Sequence, residues 1–173
     1  MQPLTAEEIR SSIVNASKGD ARRMHLPATP EQLNWDDLDF LGWRDPKAPG
    51  RAYLIVPLGS TVVGLVLSAT VPPRSLMRSN MCGFCHTFHD AASIALFSAR
   101  LAGAAGRHGN TAGTYACTDL ACPLYARNLR KPFLPQAAET VTVEERVARL
   151  RQKVTAFVER VLDTTASATA GGE

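Results

Sequence analysis

The chain has 173 residues, of which 45% are hydrophobic and 20% are charged, and its formal net charge is +3. This composition is that of a globular protein with its own core and excludes a disordered or fibrous chain. The N-terminal residues lack a basic stretch followed by an apolar core, so we expect no secretory signal and a cytoplasmic location. In a reducing cytosol, four cysteines favour metal ligands or catalytic thiols over structural disulfides.

Two short helices are expected near the N-terminus. Thr5 and Glu8 have the spacing of a capping box, in which each side chain accepts a hydrogen bond from the other residue's backbone N–H. The apolar residues that follow predict a helix over residues 6–17. A second short helix is expected over residues 21–25, and Pro27 ends it.

An aromatic and acidic stretch follows at residues 33–43. We interpret Trp35, Phe40 and Trp43 as anchors that fasten this segment to the core, rather than as a ligand cage. Residues 45–50 contain two prolines and a glycine and predict a loop.

The uncharged run over residues 52–73 has two interpretations. Its length alone could cross a bilayer. However, Pro57 and the turn at residues 58–60 divide it into halves rich in Val, Ile, Tyr and Thr, as in two paired strands. We therefore predict a buried β-hairpin with strands over residues 51–57 and 61–71, and no membrane association.

A second hairpin is expected further along the chain. Residues 93–100 are apolar enough for a strand, and residues 113–116 predict the returning strand. The glycine-rich residues 103–113 between them predict a long, mobile tip that carries Arg107 and His108.

The C-terminal part of the chain predicts two helices. Pro123 suits the first position of a helix over residues 123–130, because proline needs no N–H partner there. Thr142 and Glu145 repeat the capping box and open a helix that extends to residue 163. Its apolar stripe predicts packing on the core rather than on a partner, and consists of Val143, Val147, Leu150, Val154, Phe157 and Val161.

The four cysteines form the pattern Cys82-x2-Cys85 and, after 31 further residues, Cys117-x4-Cys122. A redox dithiol needs one pair in a thioredoxin-like strand-to-helix setting, which would leave the second pair unexplained. Four thiolates around tetrahedral Zn²⁺ explain all four cysteines. One knuckle, a hairpin and a final pair at a helix start are the order of a treble-clef zinc finger.

A closed site of four sulfurs leaves no coordination position for water, so the zinc is expected to be structural. We interpret His86 and His89 as hydrogen-bonded loop residues rather than as ligands or general bases. Deaminase, kinase, hydrolase and zinc-protease motifs are missing, so we expect no enzymatic activity and no small-molecule substrate. Arg78, Arg127 and Arg130 are expected to offset part of the negative charge of the zinc–thiolate centre.

Basic residues concentrate in the middle of the chain. Residues 51–135 carry eight Lys/Arg against two Asp/Glu, whereas residues 1–50 carry six against eight and residues 136–173 carry five against six. This excess indicates either an acidic partner, which could be nucleic acid or an acidic protein face, or an ordinary soluble surface. A zinc-dependent RNA-binding module, with ribosomal RNA as the candidate ligand, is therefore the alternative function.

Residues 74–130 resemble a known family. The residues that carry the resemblance are Met81 before the first cysteine pair, the strand sequence SIALF, Gly113-Thr-Tyr115 before the third cysteine, and the fourth cysteine. They are similar to the C-terminal treble-clef zinc-finger domain of elongation factor G-binding proteins, the FusB type linked to fusidic acid resistance. The shorter FBP-domain proteins of actinobacteria are the members that the chain resembles most.

The resemblance implies a protein that binds elongation factor G with its zinc-finger domain and helps this GTPase to leave the ribosome when it stalls there. It also implies that Met81 and Tyr115 belong to the contact surface. The basic residues Arg107, Arg127 and Arg130 are further candidates for partner binding.

The chain also departs from the resistance proteins. Its first fifty residues or so are too few for their N-terminal helical bundle, a lysine expected near Ala112 is missing, and the last cysteine pair is spaced differently. The predicted fold is α+β, with antiparallel β-hairpins and a four-cysteine treble-clef zinc finger flanked by N- and C-terminal helices. The expected segments are a helical segment and loop (1–50), the hairpin plus zinc-finger domain (51–135), an amphipathic helix (136–163) and a disordered tail (164–173).

Overall fold

The computed structural model describes residues 1–26, 30–70, 79–136 and 140–162. The α-helices in these ranges are α1 (Ala6–Ser11), α2 (Lys18–Arg23), α3 (Gly103–Arg107), α4 (Cys122–Ala126) and α5 (Val143–Leu162). The strands are β1 (Leu41–Asp45), β2 (Ala48–Leu58), β3 (Thr61–Thr70), β4 (Ser79–Met81), β5 (Phe88–Asp90), β6 (Ile94–Arg100) and β7 (Thr111–Cys117). Helices combined with antiparallel strands confirm the predicted α+β class.

The strands form two antiparallel sheets. The larger sheet has the order β1-β2-β3-β6-β7, and β4 pairs with β5 in a separate two-stranded sheet. Both predicted hairpins are confirmed, as β2-β3 and β6-β7. Gly59 turns the first hairpin with a φ of +60°, a conformation that a residue without Cβ adopts easily. Pro57 lies beyond Ile55, where pairing with β1 ends, so its missing N–H breaks no bond on that side.

Residues 52–56 of β2 are buried on both sides of the sheet, which explains why this part of the strand is an unbroken apolar run. Ala52, Leu54 and Val56 point toward the zinc finger and α5, and we call this side the inner face of the sheet. Tyr53 and Ile55 point toward the N-terminal segment, and we call this side the outer face.

The N-terminal segment pairs with β3 at Gly64. This position lies outside residues 68–70, where β3 pairs with β6. Gly64 N–H donates to Ser12 O at 2.8 Å, and Val14 N–H donates to Gly64 O at 3.0 Å. A Cβ added at Gly64 would overlap Ser12 Oγ, so the close approach requires glycine. Asn15 extends the pairing with its side chain, which accepts from Val66 N–H at 2.8 Å and donates to Val66 O at 3.0 Å.

The N-terminal helices differ from the predicted ones. The capping box at the start of α1 is confirmed, with both reciprocal hydrogen bonds present. Helix α1 ends at Ser11, well before residue 17, because residues 12–15 pair with β3 instead. Helix α2 begins earlier than the predicted span of 21–25, because Ser17 caps its first turn.

The prediction of a loop over residues 45–50 is wrong. Strand β1 ends at Asp45 and β2 begins at Ala48, so the turn consists of residues 46 and 47. No strand is predicted at β1 from the sequence. The strand forms because pairing with β2 buries Leu41 and Trp43. The expected segment boundary at residue 50 therefore falls inside β2.

The tip of the second hairpin contains a helix rather than the mobile loop predicted over residues 103–113. Helix α3 buries Ala105, and Gly103 begins it with a φ of +67°. A Cβ at Gly106 would overlap the Leu101 carbonyl oxygen. The glycines therefore permit a tight turn, which the composition alone could not distinguish from mobility.

Helix α5 is the predicted core helix. Its capping box is confirmed: Thr142 N–H donates to Glu145 Oε2 at 2.7 Å, and Glu145 N–H donates to Thr142 Oγ1 at 3.2 Å. Its buried residues pack on the inner face of the sheet, and they are Leu150, Val154, Phe157, Val158 and Val161. The predicted disordered tail, 164–173, lies outside the described residues. No helix in the described part of the chain is both long and apolar enough to cross a membrane.

Candidate metal centre and its surface

Four cysteine sulfurs converge beside the inner face of the sheet. Cys82 Sγ lies 3.7 Å from Cys122 Sγ, and Cys85 Sγ lies 3.6 Å from Cys117 Sγ. All four sulfurs lie within 4.8 Å of one another, and all four side chains are buried. Sulfurs bound at about 2.3 Å to a tetrahedral zinc ion would be about 3.8 Å apart. The observed spacing fits structural Zn²⁺ held by these four residues, as predicted.

Backbone groups hold the first pair of cysteines in place. The N–H groups of Phe84 and Cys85 point at Cys82 Sγ, at 3.4 and 3.5 Å. Gly83 N–H donates to Tyr115 O in β7 at 2.7 Å, and a Cβ at Gly83 would lie only 2.9 Å from that oxygen. Glycine between the first two cysteines therefore lets this turn, the first knuckle, lie directly against β7.

The second pair of cysteines joins a strand end to a helix start. Cys117 ends β7, and Cys122 begins α4. Between them, Leu120 has a φ of +54°, and its N–H donates to Cys117 O at 2.8 Å. The buried Leu120 side chain presses on Gly42, where an added Cβ would lie 2.7 Å from Leu120 Cβ. Helix α4 ends at Ala126, before the predicted end at residue 130.

The surroundings of the sulfurs act in opposite directions on their charge. Burial raises the pKa of the Cys122 thiol well above its usual value, and the neighbouring Cys117 sulfur adds to this effect. Hydrogen bonds from Cys117, Cys122 and Cys82 lower the pKa of Cys85. A bound divalent cation stabilises the thiolate forms of these cysteines and releases the thiol protons.

His89 forms a hydrogen bond, as predicted, but it lies in a strand rather than in a loop. It is buried in β5, and its Nε2 lies 3.3 Å from Cys117 Sγ. Its ring also lies edge-on to Tyr125, with 4.8 Å between ring centroids. A hydrogen bond to a metal-bound sulfur orients that ligand and spreads its charge. His86 instead contributes its backbone, with a φ of +59° and an N–H that donates to Cys82 O at 3.0 Å.

Phe84 inserts the first knuckle into the core on the inner face. Its side chain is 2% exposed and makes edge-on contacts with Phe40 and Phe157, at centroid distances of 6.0 and 5.7 Å. Phe40 comes from the N-terminal segment and Phe157 from α5. The predicted anchors Trp35 and Trp43 are likewise buried, in the core of the outer face. The zinc centre therefore shares one core with Phe40, the inner face of the large sheet and α5.

A buried carboxylate ties three elements together near this core. The Asp39 side chain, just before β1, is 0% exposed and receives hydrogen bonds from Arg127 and Arg151. Arg127 Nη2 lies 3.1 Å from Asp39 Oδ1, Arg127 Nη1 contacts Oδ2, and Arg151 Nε lies 2.7 Å from Oδ1. Hydrogen bonding to Asp39 raises the pKa of Arg127 above its usual value. The cluster joins the N-terminal segment to the end of α4 and to α5.

The basic candidates for partner binding lie in three different settings. Arg107 is exposed in the last turn of α3. Arg130 is about half exposed; its Nη1 lies 3.2 Å from Asp119 Oδ2, and its guanidinium lies 5.9 Å from the centroid of the Tyr125 ring. Arg127 is 16% exposed and engaged with an aspartate of the fold, so its geometry supports a structural role instead. Arg78 lies outside the described residues.

Met81 and Tyr115, the apolar candidates for partner binding, are both exposed beside the metal centre. Their exposed fractions are 46% and 45%. Met81 pairs across β4 and β5 with Phe88, which is 43% exposed and which the sequence did not single out. Gln136 covers the free edge of β5, since its side chain accepts from Phe88 N–H and donates to Phe88 O, both at 2.9 Å. We call Met81, Phe88 and Tyr115 the knuckle surface.

Comparison with known protein families gives one match. The FBP C-terminal treble-clef zinc-finger family matches residues 8–161, a span that includes the N-terminal segment, all four cysteines and nearly all of α5. No curated protein and no solved structure matches the chain.

Proposed function

Because the chain belongs to the FBP C-terminal treble-clef zinc-finger family, we propose that it is a non-enzymatic, zinc-dependent binding protein for translation elongation factor G. The zinc ion has a structural part in this proposal. It fixes the two cysteine pairs and the strands next to them, and the bound GTPase contacts the surface that these strands present.

The observation that carries the proposal is the knuckle surface. Its three large side chains are each more than 40% exposed, and they project from paired strands fixed beside a buried metal centre. Exposed apolar side chains grouped on a rigid frame are typical of protein–protein contacts, and aromatic residues contribute most of the binding energy in such contacts. Tyr115 is therefore the residue expected to matter most.

The proposed mechanism is differential binding. A protein that binds elongation factor G more tightly off the ribosome than on it shifts the population of this GTPase toward release, without any chemical step. A tenfold difference between the two affinities corresponds to about 1.4 kcal/mol. In cells, such a factor would act in the cytoplasm on stalled ribosomes, and tolerance to fusidic acid is the expected consequence.

The test is calorimetric titration of the zinc-loaded chain with elongation factor G from the same organism, at low and at moderate salt. We expect a one-to-one complex that tolerates salt. Tyr115→Ala should weaken it about thirtyfold, the effect of losing a 2 kcal/mol anchor. Val14→Ala removes an apolar side chain that is 41% exposed and pairs with β3, so it serves as the matched control. Absence of binding, or equal losses in both variants, would contradict the proposal.

A further inference from the structure

The N-terminal segment covers only part of the outer face of the sheet. Within the described residues, it packs against β1, β2 and the first half of β3, touches the end of β6 at Arg100, and leaves the rest of β6, β7 and the end of β3 uncovered. Strand register places one set of side chains on this open area: Arg51, Ser68, Thr70, Leu96, Ser98, Arg100, Thr111, Gly113 and Tyr115. We call this area the open face.

The open face is basic and rich in hydroxyl groups. Ser68 pairs with Arg51 on one side and with Ser98 on the other, so the three side chains form a row across the strands. Arg100 lies opposite Thr111 in the next row. These five residues line a cleft of about 690 Å³.

Asp20 offsets part of the positive charge of this cleft. It lines the cleft and attracts Arg51, although its carboxylate accepts its hydrogen bonds from Ser17 Oγ at 2.6 Å and from Arg23 at 2.8 Å. Within the described residues, neither Arg51 nor Arg100 forms an ion pair. Asn15 fixes the backbone beneath the cleft, since its side chain donates to Arg100 O at 3.1 Å. Among the described residues, the cleft therefore carries two arginines against one aspartate, on a backbone fixed by strand pairing.

The other end of the open face carries the aromatic ring of Tyr115, which lies opposite Leu96 on the neighbouring strand. Tyr115 lies four positions after Thr111 in β7, a distance of about 14 Å at 3.4 Å per residue. Arginines for phosphates, hydroxyl groups for sugar and phosphate oxygens, and an exposed ring for a base are thus arranged along one face of the sheet. This distance is long enough for more than one nucleotide.

We propose that the open face binds single-stranded RNA. The guanidinium groups of Arg51 and Arg100 bind backbone phosphates, the side-chain hydroxyls of Ser68 and Ser98 contact phosphate or ribose oxygens, and Tyr115 stacks on a base. Stacking on strand aromatics together with basic contacts to the backbone is the usual way in which a sheet binds unpaired RNA. This site does not depend on binding to elongation factor G, although the two ligands share Tyr115 and would compete.

The test uses fluorescence anisotropy with a labelled twelve-nucleotide oligo(U) and the zinc-loaded full chain at three salt concentrations. Two phosphate contacts on a single strand predict a slope of about −1.4 for the logarithm of affinity against the logarithm of salt. The double variant Arg51→Ala/Arg100→Ala should bind at least tenfold more weakly and lose most of that slope. Tyr115→Ala should weaken binding about tenfold and leave the slope unchanged. Lys153→Ala, an exposed charge removed from α5 on the opposite side of the sheet, should change nothing.

Three results would overturn the proposal. One is that the parent chain does not bind the oligo(U) at low salt. A second is that the double variant binds it as tightly as the parent chain or the Lys153→Ala variant does. The third is equal binding of a fully paired, blunt-ended RNA duplex, since a stacked duplex offers no free base to Tyr115. Loss of elongation factor G binding in the double variant, without any RNA binding by the parent, would assign the open face to an acidic protein surface. Zinc content and thermal unfolding of each variant establish that it is folded.

Discussion

Replacing Asp39 with asparagine keeps the shape of a fully buried side chain but removes the negative charge that faces two guanidinium groups. The two arginines should contribute unequally. Arg127 is 16% exposed, so losing its partner leaves a charge that is largely shielded from water. Arg151 is 64% exposed, so water solvates it readily when the partner is lost.

The magnitude follows from this difference in burial. Removing one partner of a buried ion pair costs about 3–5 kcal/mol, whereas an exposed pair contributes about 0–1 kcal/mol. We therefore expect Asp39→Asn to lower the free energy of unfolding by about 3 kcal/mol and Arg151→Ala to lower it by less than about 1 kcal/mol. With a urea dependence of about 2 kcal/mol per molar, Asp39→Asn should lower the unfolding midpoint by about 1.5 M.

The assay is urea unfolding followed by circular dichroism at one fixed free zinc concentration, because a ligand of the folded state alone shifts the midpoint. Arg151→Ala is the matched control, since it removes the exposed arm of the same cluster. An Asp39→Asn midpoint within about 0.25 M of the parent, or a larger shift for Arg151→Ala than for Asp39→Asn, would refute the reasoning.

Three further predictions concern the metal centre and the sheet. Cys117→Ser should unfold the chain, because a structural zinc site contributes about 10–16 kcal/mol, as much as the stability of a whole domain. If circular dichroism shows a folded variant and metal analysis finds no zinc in it, this prediction is contradicted. His89→Ala should keep the fold but weaken zinc binding about tenfold in chelator competition, and unchanged affinity would show that its sulfur contact contributes nothing. Gly64→Ala should lower the free energy of unfolding, measured with urea, by about 2 kcal/mol. Gly50→Ala should be nearly neutral, because its added methyl group meets open space. Equal losses of stability in the two variants would contradict the close approach at Gly64.

Local sequence signals predicted the elements whose cause is local. The two capping boxes, the turn at Gly59 and the β-branched and aromatic composition of the first hairpin each depend on residues a few positions apart. The end of α1 and the existence of β1 depend on distant pairing. Asn15 bonds to Val66, which is 51 residues away, and β1 becomes a strand only because β2 lies beside it. No local pattern carries that information.

The same distinction applies to the metal centre. Cysteine spacing was enough to identify the four ligands, because few arrangements other than a zinc site explain two such pairs. The residues that support them come from other parts of the chain. His89 meets Cys117 across 28 residues, and Arg127 meets Asp39 across 88. The sequence indicated that Arg127 is basic and near the site, but only the fold shows that its guanidinium already forms an ion pair with an aspartate.

The most direct test of the proposed function is the rate at which labelled elongation factor G leaves ribosomes stalled with fusidic acid. The measurement compares no added protein, the zinc-loaded chain and its Tyr115→Ala variant at equal concentrations. The account predicts that the parent chain accelerates release and reaches a plateau with concentration, and that the variant needs a much higher concentration for the same effect. A release rate unchanged at saturating protein would contradict it.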